Sequence, residues 1–557
     1  MLRAARCLMA GCLAMGPFAA GHATGCEGVI PVEHPTDRWP GQHAWQSLAK
    51  AGYHVGDIRI RVIDVYDLSK PEQNTWYART GDFLHINTKK PVVRHQLLFK
   101  PGDRVDPRLI YESTRRLRHR VYFREADIVP VACHGHVVDA EVVVKDAWTL
   151  KFEVNFGRIG GQNRFGLRLL DANFLGTGKY LAFARKKDPE RTTSELAYHD
   201  DQLFGSNWTM NIHEADLSDG YRHQISIGRP FFETTTPWSV SFDFEQLKQN
   251  LNFYNRTDLA WRVPDTQETA SVGWMHLIRW DGDSGWRSGL RLESEKYTYG
   301  TLESVDPALR PPPVLDGRTF NGVVWRSQYY QDRYASFSNI LHTRRTEDFN
   351  LGWNVTTDLG WFPTSLGGTA SAWKAGVDAS FGARPFADTL LLSNASVSSR
   401  RQGGVWRNYR GDLAATLYDQ HYGSQTLVAH FAAAWQLRPD PENQLYLGGL
   451  EGLRGYPNYF IAADRRWTAT LADRIDTPTD IFHTVQLGYV AYVDFGQARA
   501  LDNGEWTRVF SNVGGGFRFG NLRSSFGRTL YLTVAFPLTK TPQTGNYQIV
   551  VGDVIPF

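Results

Sequence analysis

Thr484-Val485-Gln486-Leu487-Gly488-Tyr489-Val490-Ala491-Tyr492-Val493-Asp494 presents two different surfaces at a period of two. Val485, Leu487, Tyr489, Ala491 and Val493 share one face of an extended chain, because successive side chains of a strand point to opposite sides. Thr484, Gln486, Gly488, Val490, Tyr492 and Asp494 share the other. One face suits lipid and the other a wet or packed interior. The pattern recurs where Trp238, Val240, Phe242 and Phe244 interleave with Ser239, Ser241, Asp243 and Glu245, and again where Leu530, Leu532, Val534 and Phe536 interleave with Tyr531, Thr533 and Ala535. Beyond Leu150 no helical period survives. About 400 residues of strand-length alternation follow, broken by Gly, Asn, Asp and Pro turns.

Such alternation also fits a soluble sandwich or propeller, so composition and the amino terminus have to decide. The chain has 557 residues, of which 13% are aromatic and 42% hydrophobic, with a mean hydropathy of -0.39. That is too structured for disorder, and no uninterrupted apolar run of about 18 residues supports a helical membrane protein. A transmembrane β-barrel combines many aromatics with low mean hydropathy, because its inward face is polar. Met1 to Arg6 is basic, Cys7 to Ala20 apolar and small, and Gly21-His22-Ala23 offers a cleavage site, so residues 1–23 read as a secretory signal peptide. Without them 59 basic residues face 58 acidic ones, and nothing points to a nucleic-acid partner.

Cys26 and Cys133 are the cysteines left after cleavage. In an exported chain a disulfide is the first reading. A lipidated Cys26 comes second, since Ala23-Thr24-Gly25-Cys26 loosely resembles a lipidation box, and two unrelated thiols third. Residues 24–55 read as a lead-in. Residues 56–150 read as an α+β module ordered strand, helices, strand, strand. Its first strand alternates Ile58, Ile60 and Val62 with Arg59 and Arg61, and its helix from Asp106-Pro107 buries Leu109, Ile110, Ser113 and Leu117. Residues 151–557 are then the barrel, ending in Phe557. At roughly 25 residues per strand and connection they make about 16 antiparallel strands, inside the outer-membrane range.

Four motifs carry a resemblance. Leu447-Gly448-Gly449 followed by Leu453-Arg454-Gly455-Tyr456 resembles the arginine loop signature of the BamA/TamA outer-membrane assembly and two-partner secretion superfamily. Tyr492-Val493-Asp494-Phe495-Gly496 is similar to its Asp-x-Gly strand, Gly516-Phe517-Arg518-Phe519 to the strand after it, and Asn173-Phe174-Leu175-Gly176-Thr177-Gly178 to the hairpin following its first barrel strand. The module resembles one POTRA domain, with Leu97 to Asp103 in the expected place. The resemblance implies a POTRA domain in the periplasm, a barrel in outer-membrane lipid, and unfolded or secreted polypeptides as substrates, with periplasmic chaperones or accessory subunits as further partners. It also implies that the Arg454 loop folds into the lumen against Asp494.

Independently, Gly448, Gly449, Gly452 and Gly455 mark this stretch as a loop, and strand phase points Asp494 and Arg518 inward. Arg518 is thus a second possible partner of Asp494, and an exposed Arg454 the other placement. The final stretch, Tyr547 to Phe557, breaks alternation at Asp553 and Pro556. No enzyme motif is complete. Gly282-Asp283-Ser284-Gly285 is one residue short of a nucleophile elbow, and His134 and His136 beside Cys133 lack a fourth metal ligand. No catalytic residue, metal or cofactor is expected. The reading from another class is a passive outer-membrane pore or surface antigen.

Overall fold

The computed structural model describes residues 26, 41–66, 68, 71, 74–305, 315–523 and 529–552. The expected signal peptide, Asp553 and Pro556 lie outside the described residues.

The amino-terminal module comprises α1 (Gln42–Lys50), β1 (His54–Ile63), α2 (Trp76–Leu84), α3 (Lys90–Arg94), α4 (Pro107–Arg118), β2 (Phe123–His134) and β3 (Val137–Asp146). Asp106 caps α4 by accepting from the Arg108 amide, and Pro107 sits where its missing N–H costs nothing. The three strands pair in the order β1-β3-β2, with β1 parallel and β2 antiparallel to β3. Ile58, Ile60, Ile128, Ile110 and Leu117 meet in one core. Trp45 and Leu48 of α1 are fully buried in it, and the Trp45 indole donates to the Ile128 carbonyl at 3.0 Å. The stretch expected as a lead-in therefore supplies a core helix, too short at nine residues to show its period. Cys26 and Cys133 form a disulfide, with Cα atoms 5.1 Å apart, that fastens the start of the described chain to the end of β2.

The barrel closes with 20 antiparallel strands, beginning at Leu150–Ile159 and ending at Gln548–Gly552, which corrects the expectation of about 16. Two short segments, Glu303–Ser304 and Leu445–Leu447, add pairing beside it. The expectation allotted too much chain to each connection. Several hairpins turn in two residues, as at Gly160-Gly161 (φ +56° and +81°) and Gly403-Gly404 (φ +58° and +77°). Two successive positive φ values make the turn whose twist matches paired strands, so each strand and its connection use only about 20 residues. The first such hairpin also places Asn173–Gly178 after the second barrel strand, Gln162–Asp171, and not the first.

The phase read from sequence separates the two faces. Phe242, Phe244, Tyr489, Leu530, Leu532 and Phe536 are exposed on the outer wall, whereas Val490, Tyr492, Asp494, Tyr531, Thr533 and Ala535 are buried inside. The module sits against one end of the barrel. The Lys89 amide donates to the Gly176 carbonyl, Trp148 to Arg523, and Thr234 to the Glu112 carboxylate. α4 therefore buries Glu112, Thr114 and Arg115 beyond its expected stripe, because its second side is covered by barrel connections. Leu109 is only half-buried.

Closing more than 100 residues of chain, the Cys26–Cys133 bridge is worth about 4 to 5 kcal/mol in the loop-entropy account. Cys133→Ser is expected to move trypsin cleavage of the module to lower urea by an amount equivalent to about 2–5 kcal/mol. The barrel band should keep its heat-modifiable gel mobility. An unchanged urea profile would remove the bridge from the module's stability.

Candidate functional site in the barrel lumen

Residues 438–460 connect the strands Gln425–Leu437 and Ile461–Ile481 at the end away from the module. The segment folds inward, as five residues of its sequence dictate. Gly452 takes φ +106°, a conformation that favours glycine. A Cβ at Gly455 would stand 2.7 Å from the Asn512 side chain, and one at Gly449 would stand 2.8 Å from the Tyr456 carbonyl. Gly448 is extended, with φ 173°, so its local backbone would suit any residue. Leu453 packs onto Gly496, whose missing side chain leaves the space it fills. The single Tyr456 hydroxyl proton is shared between the Ser511 and Thr539 carbonyls, each 2.9 Å from Oη, and its ring joins Phe460 and Phe510.

Arg454 and Asp494 meet at the centre, both side chains with no exposed surface. Arg454 Nε donates to Asp494 Oδ2 at 2.9 Å and Nη2 donates to Oδ1, the two-pronged geometry that a guanidinium offers and an ammonium does not. Asp494 accepts two further bonds from neighbouring strands, from Thr470 Oγ1 at 2.8 Å and Asn512 Nδ2 at 2.7 Å. The Tyr492 ring lies 3.4 Å below the guanidinium carbon. Asn512 faces both ways, since its Oδ1 accepts from the Gly455 amide at 3.1 Å.

Arg518 pairs elsewhere. Its Nη1 donates to Asp476 Oδ1 at 2.8 Å. Asp476 and Arg518 are separated in the sheet by Gly488, directly opposite both, and the absent side chain lets them meet across three strands. Of the two cationic partners that strand phase allowed for Asp494, the structure brings Arg454.

Three anchors escaped the sequence reading. Asp440, at the start of the loop, receives both prongs of Arg400 at 2.6 and 2.9 Å, and Glu442 pairs with Arg318 and accepts from Tyr299 Oη at 2.7 Å. At the other end Asn458 Nδ2 donates to the Ile159 carbonyl at 3.0 Å and to Gln162 Oε1 at 2.9 Å, tying the loop to the first hairpin of the barrel. The readable signal was Asp440-Pro441-Glu442, two acids placed ahead of a glycine-rich turn. The arrangement binds and positions the loop. Among the described residues no cluster of His, Cys, Asp and Glu could hold a metal ion.

Arg454→Ala leaves a buried carboxylate with its main counter-charge removed, a change that costs about 3–5 kcal/mol in buried pairs. The expected readout is loss of the folded, heat-modifiable form at a lower temperature. Asp494→Ala combined with Arg454→Ala should cost far less than the sum of the two. Arg518→Ala should instead couple to Asp476→Ala and add independently to Asp494→Ala. Coupling between Arg518 and Asp494 would contradict this assignment.

No family model matches the chain. A curated relative from Treponema pallidum (strain Nichols), named "Putative outer membrane protein assembly factor", is 24% identical over 220 residues, 38% of this chain and 22% of that protein. The chain thus matches about a fifth of that relative's length. Solved structures similar to the chain include Haemophilus ducreyi BamA lacking POTRA domains 1–3, at 12% identity and TM-score 0.41, covering 90% of this chain and 84% of that one. CdiB from Acinetobacter baumannii aligns at 12% identity and TM-score 0.43 over 90% and 73%. CdiB from Escherichia coli aligns at 10% identity and TM-score 0.45 over 89% and 76%. The sequence motifs of this chain resemble those of the BamA/TamA assembly and two-partner secretion superfamily, and its 220 matched residues are similar to part of a protein named as an outer membrane assembly factor.

Proposed function

We propose that the protein inserts or translocates polypeptides at the outer membrane, with its POTRA-like module in the periplasm as the site of substrate capture. The observation that carries the reading is the infolded loop, whose Leu453-Arg454-Gly455-Tyr456 motif meets Asp494 inside the lumen. That is where the resemblance puts it. The mechanism uses main-chain hydrogen bonding in place of covalent chemistry and needs no nucleotide, metal or cofactor. An incoming strand adds to a module edge and passes to the barrel, at the seam where Val551 pairs with Arg158 or through the lumen.

The two edges of the module sheet differ. Along β2 the outward carbonyls of Ala126 and Ile128 already accept from Arg118 and Trp45, and Pro130 removes the next donor, a device that blunts edges. Along β1, Val55 pairs with the 102–103 segment and the Ile58 carbonyl accepts from Arg94. Ile60 and Val62 come next at the same alternation, and among the described residues their outward groups have no backbone partner. Substrate addition is therefore assigned to β1 between Ile60 and Val62.

A passive pore is the second reading, favoured by a cavity of about 1580 Å³ that runs along the first barrel strands, lined by Lys151, Glu153, Arg168 and Lys186. Photocrosslinking from Arg61 in cells separates the two readings. Val62→Pro is expected to abolish polypeptide adducts at least tenfold while the barrel still shifts on heating. Ion conductance without any envelope polypeptide crosslinked would favour the pore.

A further inference from the structure

One connection at the module end differs from its neighbours. The other eight there are three to eight residues long, whereas residues 332–352 make a hairpin of 21 residues. Its strands, Tyr334–Ser338 and Thr346–Asn350, pair only with each other. The tip is built rigidly: the Ile340 and Leu341 amides both donate to Glu347 Oε2, at 3.1 and 3.0 Å, and Oε1 of Glu347 lies 2.7 Å from His342 Nδ1. The hairpin points into the barrel. Phe337 and Ile340 belong to one buried cluster with Leu390, Tyr418, Val428, Ala472, Val490, Tyr492, Tyr531 and Ala535 of the wall.

Six of those eight wall residues form one line. Leu390, Tyr418, Val428, Ala472, Tyr492, Gly514 and Ala535 are successive cross-strand partners over seven strands, all on the inner wall. The lumen of a barrel that holds water is polar, so an apolar strip there needs an apolar occupant. Phe337 and Ile340 supply it. Polar contacts seat the tip without making it part of the wall: Arg474 donates to the Ile340 carbonyl at 3.1 Å and Gln420 to the Ser338 carbonyl at 2.8 Å. Gly520 makes room for Thr343, whose Oγ1 would lie 2.1 Å from a Cβ there.

The base of the hairpin is gripped by α4. Arg115 binds Asp332 at 2.9 Å and lies 3.7 Å over the Tyr334 ring. Arg118 reaches Asp348 at 3.6 Å while bound to Asp127 at 2.6 Å, and Arg345 returns a bond to the Arg118 carbonyl at 2.9 Å. Burial weakens the charged form of both α4 guanidinium groups, but the facing carboxylates outweigh it and hold them above their ordinary range. The bonds that Arg115, Arg118 and Arg345 make between module and hairpin would all be broken together by a rigid-body shift of the module.

We propose that residues 332–352 are a removable plug, that α4 is its latch, and that the inner strip from Leu390 to Ala535 is a binding surface for aromatic and aliphatic side chains of an extended polypeptide, which displaces Phe337 and Ile340. The nature of the displacing partner rests on the polypeptide-handling function proposed above. The plug itself does not.

The test uses purified full-length protein in planar lipid bilayers, with no secreted substrate present. Replacing residues 334–350 by a short Gly-Ser turn is expected to raise single-channel conductance several-fold. Phe337→Asp with Ile340→Asp should do the same if the deletion fails to give the heat-modifiable form. A synthetic peptide of residues 332–352, added from the module side, should return the deletion variant to the wild-type level, and the same peptide with Ser at 337 and 340 should not. Wild-type conductance in both folded variants would overturn the plug. Equal block by the two peptides would overturn the apolar strip as a binding surface. Failure of polypeptide handling would appear as unchanged crosslinking in the Val62→Pro experiment and would leave these conductances untouched.

Discussion

The carboxylate of Asp494 is the fixed point of the lumen. Arg454, Thr470 and Asn512 supply four hydrogen bonds to its two oxygens, which is what a fully buried anion requires if its desolvation is to be offset. Thr470 and Asn512 belong to the strands on either side, so the wall itself holds two of the four bonds to the anion independently of the loop. Arg454 then has one place to go. Once it is there, the rest of the loop is determined by reach. Leu453 drops onto Gly496 and Tyr456 onto the Ser511 carbonyl, while Asn458 meets the first hairpin at Ile159. One ion pair thereby orders strands that are more than 300 residues apart in the chain.

Barrel size explains why infolded segments are needed at all. Eight strands enclose a space that side chains fill, whereas 16 or more leave an aqueous channel. Twenty strands leave more than inward side chains can occupy, and this chain spends its two longest connections on the difference. Residues 438–460 enter from one end and residues 332–352 from the other. They converge near Tyr492, whose ring takes Arg454 on one face and which shares a buried cluster with Phe337 and Ile340. Its hydroxyl is held by Thr533 at 3.1 Å, which fixes the ring between them.

Wall alternation was legible because each strand must satisfy two solvents at once, and Val485 to Asp494 records both. The partner of Asp494 was legible only in part: phase put the acid inside and the glycines marked a loop, but phase equally offered Arg518, and it was the family resemblance that pointed to Arg454. Strand number was not, because it depends on turn length, and the two-residue turns at Gly160-Gly161 and Gly403-Gly404 leave little mark beyond the glycines themselves. The plug was hidden differently. Its strands are five residues long with an apolar and polar mix, which alternation alone cannot tell from short wall strands. α1 was lost to its length, although Trp45 and Leu48 are three residues apart on one face. Asp440 and Glu442 are ordinary loop acids until Arg400 and Arg318 are brought across the lumen to them.

Arg118 joins the module's sheet to the lumen through a single guanidinium. Nε donates to the Ala126 carbonyl on the outer edge of β2 at 2.9 Å, Nη2 to Asp127 at 2.6 Å, and Nη1 faces Asp348 of the plug. Five N–H donors in a rigid plane cannot be re-aimed one at a time. A strand that added along β2 would claim the Ala126 carbonyl for its own amide, and the guanidinium would have to rotate, drawing Nη1 off Asp348. Addition along β1 touches none of these groups. The two edges of one small sheet therefore carry different consequences for the barrel: the open edge can hold a chain while the lumen stays closed, and the edge guarded by Arg118, Trp45 and Pro130 is the one whose occupation is felt by the plug.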